Sequence, residues 1–243
     1  MRDHLLDLVG HTHDLGCIDL VKITGTDSET TIDSLAEDRS VVVQGKFNGP
    51  VADFIGVFGM PNLDKLKILL NLQEYREGAT INVTRQNRNN EDVPVGLHFE
   101  NKVGDFKNDY RFMTSEIVIE KLKTPKFKGV NWHVEFEPTV AGIQRLKMQN
   151  QANSEEPNFA VRIDKGDLKF SFGDHSTHAG EFIFHPGVKG ALSRNLAWPV
   201  SQVLSILGLV GDKIVRISDD GAMKITVNSG LAEYNYILPA QSK

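Results

Sequence analysis

The order of apolar and polar positions predicts a chain of short strands interrupted by a few short helices. Leu5, Leu6 and Val9 fall on one side of a helix over residues 3–10, which Gly10 is placed to end. Alternation with period two then predicts a strand over 17–23, with further strands at 30–32 and 41–47. Residues 50–58 read as a helix, because Pro50 suits a first turn and Val51, Phe54, Ile55 and Phe58 form an apolar stripe. Strands are expected over 65–72, 80–85 and 95–99, with Glu77-Gly78 and Asn89-Asn90 as turns.

Residues 100–129 are polar and broken by Gly104, Pro125 and Gly129, with one strand candidate at 116–122. This stretch suggests a first domain over 1–110, a connector over 111–129 and a second domain over 130–243. The second opens with a strand at 131–136 and a helix at 138–151, followed by strands at 159–163, 168–172 and 181–184. A helix at 199–207 precedes strands at 213–218, 222–228 and 232–238. Asp219-Asp220-Gly221 signals a hairpin turn between two of these.

The chain reads as built twice. Phe54, Ile55, Val57, Phe58, Gly59 and Met60 align without gaps with Val203, Leu204, Ile206, Leu207, Gly208 and Leu209. Each segment is expected to be a short helix leading into closely spaced strands. Short connections and the shortage of crossover helices predict an α+β fold of antiparallel sheets, with helices on one face, rather than a doubly wound sheet.

Composition narrows the function more than the fold. Hydrophobic residues at 40% and charged residues at 24% are ordinary for a globular chain, and 243 residues suffice for two cores. The net charge of -5 argues against a basic coat, but a nucleic-acid surface depends on where positive charge faces. Cys17 is the only cysteine, so no intrachain disulfide can form. No long apolar run opens the chain and none reaches membrane-spanning length, so a cytoplasmic protein is expected, and Asn82-Val83-Thr84 reads as a chance match to a glycosylation acceptor.

Candidate chemistry is sparse. No phosphate-binding loop or dinucleotide fingerprint occurs. His11, His13 and Asp14 form one candidate metal cluster, and Asp174, His175 and His178 with His185 form another. Both fall in expected loops and read as polar turns. Ser193 and Ser205 lack a nucleophile elbow, and the pairs Glu155-Glu156 and Asp219-Asp220 adjoin turns. An enzyme, a bound metal and a cofactor are therefore not expected.

The helix at 138–151 is the more informative element. Val140, Ile143 and Leu146 are expected to face the sheet, leaving Gln144, Arg145, Lys147, Gln149 and Gln151 on a basic and amide-bearing face without an acid. Such a face suits phosphates without reading bases, although it also fits an ordinary exposed helix. Lys189 and Arg194 lie upstream of the last helix and extend the candidate surface. On that helix, Ser201, Gln202 and Ser205 are neutral and polar.

The C-terminal third carries family-like strings: Asn195-Leu196-Ala197-Trp198-Pro199-Val200, Leu204-Ser205-Ile206-Leu207, Ile217 through Ile225, and Tyr234-Asn235-Tyr236-Ile237-Leu238-Pro239-Ala240. Together they resemble the DNA polymerase sliding clamp of T4-type bacteriophages, particularly marine ones, most strongly over 195–240 and more weakly over 47–72. The resemblance implies a duplicated clamp domain, with antiparallel outer sheets and short helices lining the inner face of a head-to-tail homotrimer around double-stranded DNA. It also implies a clamp-loader ATPase and a docked C-terminal peptide of the replicative polymerase, in an infected bacterial cell. Arg145, Lys147, Gln149, Lys189 and Arg194 would then face DNA, and Leu122, Ile237, Leu238 and Pro239 would form the peptide groove. The alternatives are a non-ring β-rich nucleic-acid-binding or protein-interaction subunit, a phage structural protein, and a metal enzyme using His175 and His178.

Overall fold

The computed structural model describes residues 1–88, 90–123, 129–174 and 178–241. The chain divides into two compact units. The first is Met1–Pro125 with Ser229–Tyr234, and the second is Lys126–Asn228 with Asn235–Lys243.

The first unit runs α1 (Arg2–His11), β1 (Leu20–Gly25), β2 (Thr30–Leu35), β3 (Val42–Phe47), β4 (Gly56–Pro61), α2 (Leu63–Asn71), β5 (Thr80–Arg88), β6 (Glu91–Glu100), β7 (Lys107–Arg111) and α3 (Ser115–Lys121). The second runs β8 (Val134–Phe136), α4 (Val140–Ala152), β9 (Asn158–Asp164), β10 (Asp167–Phe172), β11 (Gly180–His185), β12 (Leu196–Pro199), α5 (Val200–Leu207), β13 (Asp212–Ser218), β14 (Ala222–Asn228) and β15 (Ala232–Pro239). The start of β15, through Tyr234, packs with the first unit.

Topology establishes the duplication. The first unit orders four strands β4-β1-β2-β3, and the second orders β12-β9-β10-β11. A three-strand meander follows in each, β5-β6-β7 and β13-β14-β15. The pairing within both four-strand sets is antiparallel. Thus α1 corresponds to α4, α2 to α5, β3 to β11, and β7 to β15. The fold is a duplicated α+β domain with antiparallel sheets.

The cores follow from side-chain alternation. Val21, Ile23, Ile32, Val43, Phe47, Phe58 and Met60 turn inward from the first sheet. In the second unit, Phe170 stacks on Phe159 and Phe184 with centroids 4.4 and 4.2 Å away. Burying each such ring contributes roughly 1.5–3 kcal/mol. Tight turns meet their own steric demands: Lys165 and Gly166 both have positive φ, 54° and 86°, as a two-residue hairpin of the favoured hand requires. Gly221 closes the expected turn between β13 and β14 at φ 87°.

Three local expectations change. Residues 50–58 form only a 3-10 turn at Ala52–Phe54 before β4, because Val57, Phe58 and Met60 join β1 in antiparallel register. The helix lies downstream, where 65–72 was read as a strand. Asn62 caps α2 by accepting from the Lys65 N–H, and Leu63, Leu66, Leu69 and Leu70 bury a helical stripe. The gap-free alignment therefore pairs strand β4 with helix α5, and the repeat holds in a different register. Residues 116–122 are mostly helix α3, held by Val118 packed on Gly59, despite the β-branched run Ile117-Val118-Ile119.

Candidate nucleic-acid interface

Helix α4 begins at a side-chain cap, with the Gly142 N–H donating to Thr139 Oγ1 at 3.0 Å. The thirteen-residue helix packs one face against β11. At about 100° per residue, Lys147, Val140, Gln151, Gln144, Met148, Ala141, Ala152 and Arg145 fall in that angular order across an arc of about 160°. All eight are exposed. Gly142, Ile143, Leu146, Gln149, Asn150 and Asn153 occupy the opposite arc and are buried or half-buried.

This placement alters two residue assignments. Val140 is 77% exposed rather than sheet-facing, because it shares the outer arc with Gln144 and Gln151. Gln149 turns inward. Asn153 Nδ2 donates to the Gln149 carbonyl at 2.9 Å and to Gln149 Oε1 at 3.0 Å, and the same amide lies over Gly180. Arg145 and Lys147 stand at the two ends of the exposed arc. Neither makes a salt bridge among the described residues.

Lys189 and Arg194 sit elsewhere, on the exposed loop between β11 and β12. That loop is tied to the β9–β10 turn, where Val188 N–H donates to Gly166 O at 2.9 Å and Gly187 N–H to Asp167 Oδ1 at 3.0 Å. Its far end is fastened to Asp219, which accepts from Ser193 N–H and Oγ–H at 3.0 and 2.9 Å and from Arg194 N–H. Partial burial pushes the Asp219 carboxyl up, but these hydrogen bonds outweigh that and hold it below the usual carboxylate range. Helix α5 adds exposed Ser201 and Ser205 beside half-buried Gln202.

The first unit's helices differ. Arg2 donates to the Leu70 carbonyl at 2.7 Å, and Lys67 pairs with Asp14 at 2.8 Å. The Asp14 carboxylate accordingly raises Lys67 above the usual lysine value. Asp3, Asp64 and Lys65 are exposed. Sequence reasoning missed Lys65 as a helix-face cation because it assigned the segment to a strand. The Asn62 cap followed by leucines at helical spacing was the available signal.

The peptide-groove residues are divided between the two units. Leu122 is buried after α3, while Ile237 and Leu238 are buried in β15. The Leu238 carbonyl accepts from Trp198 Nε1 at 3.2 Å, whereas Pro239 is exposed. His11 stacks on Tyr234, and its Nδ1 lies 2.9 Å from the Asp7 carbonyl oxygen. The candidate ligand His175 lies outside the described residues, while His178 is exposed. Among the described residues, no three His, Cys, Asp or Glu side chains are gathered to hold a metal. None of the described helices is long and apolar enough to cross a membrane.

No protein-family model matches the sequence, and no curated protein matches it. Solved structures do match its fold. PCNA from Thermococcus kodakaraensis superposes with a TM-score of 0.65 at 14% identity, covering 99% of this chain and 97% of that one. A. fulgidus PCNA, solved with the C-terminal region of FEN-1 bound, gives 0.70 at 9% identity, covering 98% and 96%. The chain has the duplicated fold of these proteins over nearly its whole length.

Proposed function

We propose that the chain is a non-catalytic DNA polymerase processivity factor, closing head-to-tail with two copies of itself around duplex DNA. The observation that carries this reading is a pair of edge strands. In the first unit β3 lies beside the start of β15, and Asn48 N–H donates to Leu231 O at 2.9 Å. Their repeat equivalents, β11 and β7, are the outer strands of their sheets. An edge strand presents N–H and C=O groups to a further strand. Pairing β11 of one copy with β7 of the next would repeat the β3–β15 adjacency, and such a heterologous contact can close into a ring.

The PCNA fold supports this reading, and the strings over 195–240 favour the clamp of T4-type bacteriophages acting in the cytoplasm of an infected bacterium. The helices would line the hole, with Arg145 and Lys147 toward DNA and Lys189 and Arg194 on a separate loop. The polymerase's C-terminal peptide is assigned to the end of β15, where Pro239 is exposed after the buried Ile237 and Leu238. A clamp-loader ATPase would open the ring. Native mass measured across protein concentration tests the assembly. A species near three times 27.0 kDa is expected, and a stable monomer at all concentrations, with no retention on circular DNA after loader treatment, rejects it.

A further inference from the structure

The repeat makes α1 equivalent to α4 and α2 to α5, yet the two helix pairs differ in charge. Helices α4 and α5 contain no acidic residue, and α4 carries Arg145 and Lys147 without salt bridges among the described residues. Helices α1 and α2 contain Asp3, Asp7 and Asp64. Of their cations, Arg2 is engaged by the Leu70 carbonyl and Lys67 by Asp14, whereas Lys65 is exposed and makes no salt bridge among the described residues. Of these four helices, α4 alone carries cations and no acid.

The geometry points to α4 as the single phosphate-tracking helix of each protomer, reaching a phosphate from each of its two flanks. This assignment rests on the clamp reading. Arg145 and Lys147 lie at opposite ends of the exposed arc, about 160° apart around a helix roughly 10–12 Å across with its side chains. Long side chains leaving both flanks diverge toward the two walls of a groove. Gln144, Met148 and Gln151 occupy the centre, where they place no fixed charge over the bases. Contact with both walls through phosphates alone holds the duplex without sequence preference. In the first unit, Asp3 and Asp64 oppose the same polyanion, so its helices leave the duplex unheld. A closed trimer would then grip DNA at one of these helices per protomer rather than at all four.

The test uses the full chain and a short linear duplex, which a ring can thread without a loader. Binding is followed by fluorescence anisotropy over a salt series for wild type, Arg145→Gln, Lys147→Gln, the double variant and Lys65→Gln, with native mass checked for each. The salt slope should fall by about 0.9 for each phosphate that is no longer neutralised. Each α4 variant should lower it, the double variant should lower it additively, and Lys65→Gln should leave it unchanged. An equal fall with Lys65→Gln, or no fall with either α4 substitution, overturns the assignment. A wild-type ring that fails to bind duplex at any salt overturns the clamp reading beneath it.

Discussion

Gly142 on α4 lies so close to Phe184 on β11 that a Cβ there would meet the Phe184 carbonyl oxygen at 2.5 Å. The strand carbonyl cannot give way as a flexible side chain could, so Gly142→Ala must lift the helix from its sheet. Such overpacking should cost about 1–3 kcal/mol. Gly10 in α1 provides the contrast, because a Cβ there meets nothing within 4 Å and its φ is ordinary. Gly10→Ala should stabilise by about 0.4–1 kcal/mol through the unfolded chain. Urea unfolding should move the two midpoints in opposite directions; shifts of one sign would refute the packing argument.

A cross-strand tie gives stability a defined pH dependence. His98 on β6 faces Asp109 on β7 at 2.8 Å through Nδ1 and Glu100 at 3.4 Å through Nε2, while Lys107 reaches Glu100 at 3.1 Å. Asn82, opposite His98 on β5, is neutral. The hydrogen bond to Asp109, aided by Glu100, raises the imidazole above its ordinary value. Its contribution is therefore complete below the unfolded histidine value, near 6.5, and disappears as pH rises through the higher folded value. The thermal midpoint of the wild type should fall relative to His98→Gln across that window, and parallel profiles would exclude the tie.

Most strands of the second unit were legible because their apolar residues alternate cleanly between turns, whereas the short β12 (Leu196–Pro199) was missed. Phe170 and Phe172 face one way while Lys169 and Ser171 face the other, and Asp219-Asp220-Gly221 turns the chain where expected. The first unit misled where local and tertiary signals disagreed. Val51, Phe54, Ile55 and Phe58 fit a helical stripe, and the pairing of Val57, Phe58 and Met60 with β1 overrides it. The basic face of α4 was visible as composition. Its division into two flanks was not, because only the approach to Gly180 shows that Gln149 belongs to the sheet side.

Asp219 should act as the latch for the loop that carries Lys189 and Arg194. Three donor groups, two from Ser193 and one from Arg194, converge on its carboxylate within 3.4 Å, and its own N–H donates to His133 Nδ1 at 3.1 Å. Asp219→Ala removes the acceptor while leaving Gly221 to turn the chain. Trypsin should then cut after Lys189 and Arg194 several-fold faster, since cleavage follows the local opening of the segment. An unchanged cleavage rate with an unchanged circular dichroism spectrum would show that the loop is held by its other attachments.

The outward groups of β7 permit a direct test of ring closure. Phe112 N–H donates to Val95 O on β6, whereas Met113 N–H turns the other way to Gly59 O. Alternation along the strand therefore aims the N–H groups of Lys107, Asp109 and Arg111 away from β6. Arg111→Pro removes one outward donor without breaking the β6–β7 ladder, and Tyr110 is already extended as the residue before proline should be. Asn108→Pro instead removes an inward donor and should destabilise the sheet itself. If β7 joins β11 of a neighbouring copy, Arg111→Pro should yield a folded protomer with much weaker assembly, read as a loss of the three-chain mass. A full-strength trimer from folded Arg111→Pro protein would place the contact on another surface.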